Sequence, residues 1–339
     1  MWPIVGQTKV VSLLQRSLEA GSLSHAYLMV GPPHVGKMTL ALTLAQALNC
    51  EAAEPPCGEC GSCLKINSAR HADVQIIGLA DGNDSNGSKL RAEIGIDQIR
   101  DMQHSSNLPP FEGKYKVFII DGAEFLSTEA ANCLLKTLEE PVDKVVFILL
   151  TTNDRLLLAT VISRCQRLAL HPSAVSEVEA ALSKDWGVEA PRGKLLARLS
   201  HGCPGWAISA ASDDSLLKQR TEAADRLFEF IKADYEKRFA YAAQLATRFS
   251  QSRGAVYEIL NLWCDWWHDL LLVRAGNRDI ITSIDFETKL AEMAEDYSLN
   301  QIKTVIDGIQ AAGEQLKQNA NPRLVLETLM LDVPRRNYG

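Results

Sequence analysis

The sequence predicts an α/β fold on a parallel sheet, followed by a wholly helical remainder. Three observations lead there. Apolar runs at 27–30, 73–77, 116–121 and 145–152 alternate with helical patterns up to about residue 170. The first run ends in a glycine-bracketed loop closing on a lysine, and from 220 onward every apolar pattern has a helical period.

That loop reads Tyr27-Leu-Met-Val-Gly-Pro-Pro-His-Val-Gly-Lys-Met-Thr39. Gly31, four residues, Gly36 and Lys37 fit the phosphate-loop pattern, in which backbone N–H groups and the positive end of the next helix converge on an anion. Lys37 is placed to meet the β- and γ-phosphates of a nucleotide. The pattern normally continues with a serine or threonine that ligates Mg²⁺, but Met38 stands there and the hydroxyl comes one residue late, at Thr39. A thioether is a poor ligand for a hard cation, so nucleotide and Mg²⁺ binding here is expected to be weakened.

Before the loop, residues 4–20 carry helical periodicity that stops at Gly21. Beyond it, a helix with Leu40, Leu42, Leu44 and Leu48 runs directly into Cys50. Cys50, Cys57, Cys60 and Cys63 offer four thiolates at spacings that let tight turns close on one tetrahedral ion, with Gly58 and Gly61 easing the turns. A structural zinc is expected. The other cysteines (133, 165, 203 and 264) are scattered and read as small core residues.

Residues 80–92 form a polar stretch that reads as a loop, 96–102 a short helix, and Pro109-Pro110 a break. Lys116-Val-Phe-Ile-Ile-Asp121 is a buried strand ending in a carboxylate, where the metal-associated acid of a phosphate-loop NTPase belongs. Glu124 follows, in reach to polarise an attacking water. Ser127 caps a helix stopped by Pro141, and the next strand ends in Thr151-Thr152-Asn153, polar groups placed to sense a γ-phosphate. Arg164 then sits on a short segment suited to a finger acting in trans.

At 339 residues the chain exceeds one ordinary core. We divide it into 1–170 (sheet domain with the cysteine module), 171–218 (a small helical domain) and 219–339 (a helical domain). Trp263, Trp266 and Trp267 fall on a helical apolar stripe and read as core or subunit interface. A net charge of -7 argues against an autonomous nucleic-acid binder. Met1-Trp2-Pro3-Ile4 lacks the form of a signal peptide and no run reaches the roughly 18 apolar residues of a membrane helix, so a cytoplasmic location is expected.

With these residues assembled, the chain resembles the subunits of the bacterial DNA polymerase III clamp loader, of the AAA+ class. The most specific stretches are His25-Ala-Tyr-Leu28, the four-cysteine module, Lys136-Thr-Leu-Glu-Glu-Pro141, Ile162-Ser-Arg-Cys165 and Asn321-Pro-Arg-Leu-Val-Leu-Glu327. The resemblance implies an AAA+ domain, a lid domain and a C-terminal collar that holds a hetero-oligomeric arc together. It further implies gamma or tau and delta subunits as neighbours, a sliding clamp as cargo and primer-template DNA entering through the assembly. Motor subunits of the family carry Gly-Lys-Thr and Asp-Glu-x-His, whereas this chain has Gly36-Lys37-Met38 and Asp121-Gly-Ala-Glu124, with Trp206 at the second-sensor turn. These departures match the delta-prime type, in which Arg164 would serve the neighbouring ATP site. Two other readings stay open: an ATP-hydrolysing gamma-like motor with Thr39 or water as the missing ligand, and a zinc-stabilised adaptor without nucleotide chemistry.

Overall fold

The computed structural model describes residues 2–79 and 93–334, so the loop expected at 80–92 lies outside the described residues. The chain forms two compact units, Met1–Ala181 with Gly202–Trp206, and Leu182–His201 with Ala207–Gly339.

The first unit runs α1 (Thr8–Glu19), β1 (Ala26–Val30), α2 (Lys37–Asn49), α3 (Gly61–Asn67), β2 (Val74–Ile77), α4 (Ile96–Ser106), β3 (Lys116–Asp121), α5 (Thr128–Glu139), β4 (Val145–Thr151), α6 (Ala159–Ile162), β5 (Gln166–Ala169) and the start of α7 (Val175–Trp186). All strands pair in parallel, in the order β2-β3-β4-β1-β5. One face packs Tyr27, Met29, Ile119 and Ile148 against Leu40, Leu44 and Leu48 of α2. The other packs Leu28, Phe118, Ile120 and Phe147 against Ile99, Leu134 and Leu138. The central strands β1 and β4 are buried along their whole length, hence their unbroken apolar runs.

β5 is the strand that the sequence does not announce. Gln166 and Arg167 are exposed and only Leu168 is fully buried, because this strand closes an edge of the sheet, with β1 as its sole strand neighbour among the described residues. Two helices also differ from expectation. α4 continues to Ser106 rather than ending near 102, and α3 occupies residues that read only as a cysteine turn. Gly58 has the left-handed backbone the turn requires (φ +78°), while Gly61 simply opens α3.

The second unit is helical: the end of α7, α8 (Ala190–Leu199), α9 (Pro204–Ser212, whose first turn belongs to the first unit), α10 (Ser215–Lys232), α11 (Tyr235–Gln251), α12 (Arg253–Arg274), α13 (Glu287–Ala294), α14 (Leu299–Lys317) and α15 (Pro322–Asp332). Its core is built around α12. Trp263, Trp266 and Trp267 are completely buried, with Phe228 edge-on to Trp266 at 4.5 Å and Phe230 stacked on Trp263 at 5.2 Å. The tryptophans are therefore core within this unit. Arg238 is also wholly buried, its guanidinium donating to the carbonyls of Ile231, Met330 and Val333 near the ends of α10 and α15. No helix among the described residues is long and apolar enough to cross a membrane.

Candidate nucleotide and metal sites

The phosphate loop lies where parallel sheets bind ligands, at the carboxyl end of β1. Gly31 is forced by packing, since a Cβ there would stand 2.6 Å from the Leu170 carbonyl oxygen. Gly36 is forced by backbone, with φ +102° immediately before α2. Lys37 Nζ donates to the carbonyls of Gly31 at 2.6 Å and Pro32 at 2.8 Å, folding back over the loop. Its burial lowers the lysine pKa, against the pull of Glu124, Asp121 and Cys203. Met38 packs against the apolar cluster of α2 and β1, and Thr39 is exposed.

The loop has a further neighbour that the sequence does not reveal. His34 adopts φ +60°, and its carbonyl accepts the Gly205 N–H at 2.9 Å. A Cβ on Gly205 would come within 2.8 Å of that same oxygen. The Gly202–Trp206 turn is thus fitted to the phosphate loop backbone to backbone.

Asp121 ends β3 beside this loop. Burial raises its carboxyl pKa, Lys37 opposing. Glu124 is engaged with Thr152, which donates both its N–H (3.0 Å) and its hydroxyl (2.6 Å) to Glu124 Oε1. Burial pushes Glu124 up, but the Thr152 bonds and nearby backbone outweigh it and hold the carboxyl below its ordinary value. The Thr151 side chain also hydrogen-bonds Glu124, whereas Asn153 faces elsewhere. Thr151 is buried and its hydroxyl accepts the Asn153 N–H, while the Asn153 amide oxygen caps the short 154–156 turn. Glu124 is thus met by Thr152 through both backbone and side chain, and by Thr151 through its side chain.

Arg164 stands apart from this group. Gln166 pairs with Tyr27 and Ala169 with Val30 in parallel register, so Arg164, just before β5, lies beyond the amino ends of the strands. The phosphate loop lies beyond the carboxyl ends. Four to five residues at about 3.3 Å each place some 15 Å of strand between them. The side chain is one-third exposed; Nη2 meets Glu139 Oε1 at 2.5 Å and Nη1 donates to the Thr160 carbonyl at 2.9 Å.

The four cysteines do converge. Their sulfurs all lie within 4.8 Å of one another, with Cys50–Cys57 at 3.5 Å and Cys57–Cys63 at 3.9 Å. A tetrahedron with Zn–S bonds of about 2.3 Å requires sulfurs about 3.8 Å apart, which these distances bracket. Backbone N–H groups already point at the sulfurs, from Ala52 and Cys57 to Cys50, and from Glu59 and Cys60 to Cys57. Those from Glu59 and Cys60 bring the Cys57 thiol down to about 6, whereas burial pushes Cys63 up to about 12. The cluster could hold a zinc ion through all four sulfurs, leaving no open position.

Behind the module a polar seam ties it to β3. Asn49, the last residue of α2, accepts the N–H groups of Lys114 and Tyr115, and Lys114 Nζ donates to the Cys50 carbonyl. Ser62 bonds to His71, Lys65 pairs with Glu112, and the buried Asp73 carboxylate accepts the N–H groups of Phe111, Glu112 and Gly113 at 2.7–2.8 Å.

A five-stranded parallel sheet with a phosphate loop on β1, an acid on β3 and a helical C-terminal region defines an AAA+ phosphate-loop protein. The chain belongs to the clamp-loader family of DNA polymerase III subunits. The family described as "DNA polymerase III, delta subunit" matches residues 6–174. Bacillus subtilis DNA polymerase III subunit delta' is 28% identical, over 96% of this chain and 95% of that protein. Subunit tau of the same organism is 28% identical over 99% of this chain, and tau of Escherichia coli is 32% identical over 97%. The chain spans only 61% and 52% of those two tau proteins. Among solved structures, a DNA polymerase III gamma-subunit-related protein of Thermotoga maritima is 18% identical, covering 96% of this chain and 99% of that one, with a TM-score of 0.44.

Proposed function

We propose that this chain is a delta-prime-type subunit of the clamp loader, which places a ring-shaped sliding clamp on primed DNA, and that it works chiefly at a nucleotide site belonging to its neighbour. The observation that carries this reading is the place of Arg164 at the opposite end of the sheet from the chain's own phosphate loop. A guanidinium there cannot serve Lys37's ligand, yet it remains partly exposed on the outside of the domain. In the assembled loader Arg164 enters the ATP site of an adjacent gamma or tau subunit and stabilises charge on the transferring phosphoryl group. Residues 171–218 act as the lid and 219–339 as the collar that joins the arc, with delta as a further partner and primer-template DNA met through the assembly in the cytoplasm.

Its own cleft contributes little turnover. Met38 packs, half-buried, against the apolar cluster, Lys37 is engaged by loop carbonyls and Glu124 is held by Thr152. Cys50, Cys57, Cys60 and Cys63 hold a structural zinc. The test is Arg164→Ala in the reconstituted loader. The complex still assembles, while DNA-stimulated ATPase falls, by about 10³- to 10⁵-fold at the site served. Undiminished turnover overturns the reading. A second reading, in which the loop binds nucleotide without hydrolysing it, draws on the intact Gly31-to-Lys37 geometry with Asp121 nearby; titration of the isolated chain with Mg²⁺-nucleotide decides it.

A further inference from the structure

The motif Lys136-Thr-Leu-Glu-Glu-Pro141 has no part in the site described so far, yet it delivers Glu139 directly to Arg164. Glu139 is the last helical residue of α5, and α5 ends at the amino edge of the sheet because β4 must begin there. Its Oε1 lies 2.5 Å from Arg164 Nη2, while Nη1 donates to the Thr160 carbonyl at 2.9 Å and the Ser163 hydroxyl at 3.3 Å. Three acceptors from two helices and the turn between α6 and β5 therefore fix the guanidinium plane. A guanidinium carries five N–H donors, so two remain, enough for a bidentate contact with phosphoryl oxygens.

Resting on the finger reading of Arg164, we infer that Glu139 is its positioning residue, holding the side chain in one rotamer so that its remaining donors are presented outward to the neighbouring subunit's nucleotide. An unrestrained arginine loses several rotatable bonds' worth of freedom on entering such a site. Glu139 has already removed part of that freedom. The pair is half exposed on the carboxylate side, so it contributes little to folding and its effect falls on the reaction.

The experiment compares wild type, Arg164→Ala, Glu139→Gln, Glu139→Asp and the Glu139→Gln/Arg164→Ala double variant in the reconstituted loader. Finger-dependent turnover is the ATPase rate of each protein less that of its Arg164→Ala counterpart. Glu139→Gln lowers finger-dependent turnover about ten-fold in kcat, with KM for ATP and the melting temperature unchanged. Glu139→Asp keeps more of it than Glu139→Gln, and the double variant matches Arg164→Ala. If Arg164→Ala itself changes nothing, there is no finger-dependent turnover and the finger reading fails. If finger-dependent turnover exists and Glu139→Gln preserves or raises it, Glu139 does not position the arginine and the inference alone is overturned. A double variant slower than Arg164→Ala also overturns it, because Glu139 would then act through something other than Arg164.

Discussion

Asp73 is almost completely buried, yet it keeps its charge. Burial pushes its carboxyl up, but the N–H groups of Phe111, Gly113 and Glu112, with His71 beside them, outweigh that and hold it below the ordinary 3.8. A depressed folded-state value means that the stabilisation is present above 3.8 and lost as pH falls through the folded value. Replacing the carboxylate by alanine strands buried donors and should cost about 2 kcal/mol or more at neutral pH. Urea unfolding of wild type and Asp73→Ala at pH 7 and at pH 3 measures this, with the gap between the two proteins narrowing at the lower pH. An equal gap at both would mean that the charge is immaterial.

At the scale of the element, the cysteine module and α12 behave differently. The module gathers four sulfurs within 4.8 Å of one another, so a metal held there would couple to its folding. Purified protein should contain about one zinc per chain, and Cys57→Ser should lower both metal content and thermal stability. Metal analysis near zero in freshly purified protein counts against the zinc. α12 needs no ligand. Trp266→Ala empties a space lined by Phe228 and Phe286 and should cost about 3–5 kcal/mol, read from denaturant midpoints. These two elements were legible in the sequence for physical reasons. Thiol spacing and a helical tryptophan stripe are local signals, complete within a few turns of chain. β5 was not legible, because an edge strand with exposed Gln166 and Arg167 lacks the alternation that burial imposes. Nor was the fit of Gly205 against His34, which joins residues far apart in sequence through backbone alone. Glu139 lay inside a recognised motif, but its partner became visible only when α5 and α6 were placed together.

For the molecule as a whole, the proposed division of labour rests on charge and topology. A chain of net charge -7 gains little from DNA by itself, and its phosphate loop lacks the hydroxyl that would hold Mg²⁺. The isolated chain should therefore show ATP turnover at background. A rate comparable with that of a gamma or tau subunit would assign it a motor's role instead. Lys37, Asp121, Glu124 and Thr152 lie near one another at the carboxyl edge of the sheet. Sequence could not disclose that Glu124 and Thr152 bond to each other, because spacing along the chain carries no information about side-chain direction.

Helix α2 begins at Lys37 and ends at Asn49, one residue before Cys50. Thirteen residues at 1.5 Å make it a stiff rod of about 20 Å, with the anion loop at one tip and the thiols at the other. If the thiols hold zinc, stripping it would slacken the anchorage of the far tip, and the disturbance would arrive at Gly36 without any chemistry having touched that end. A chelator could then masquerade as an antagonist of nucleotide.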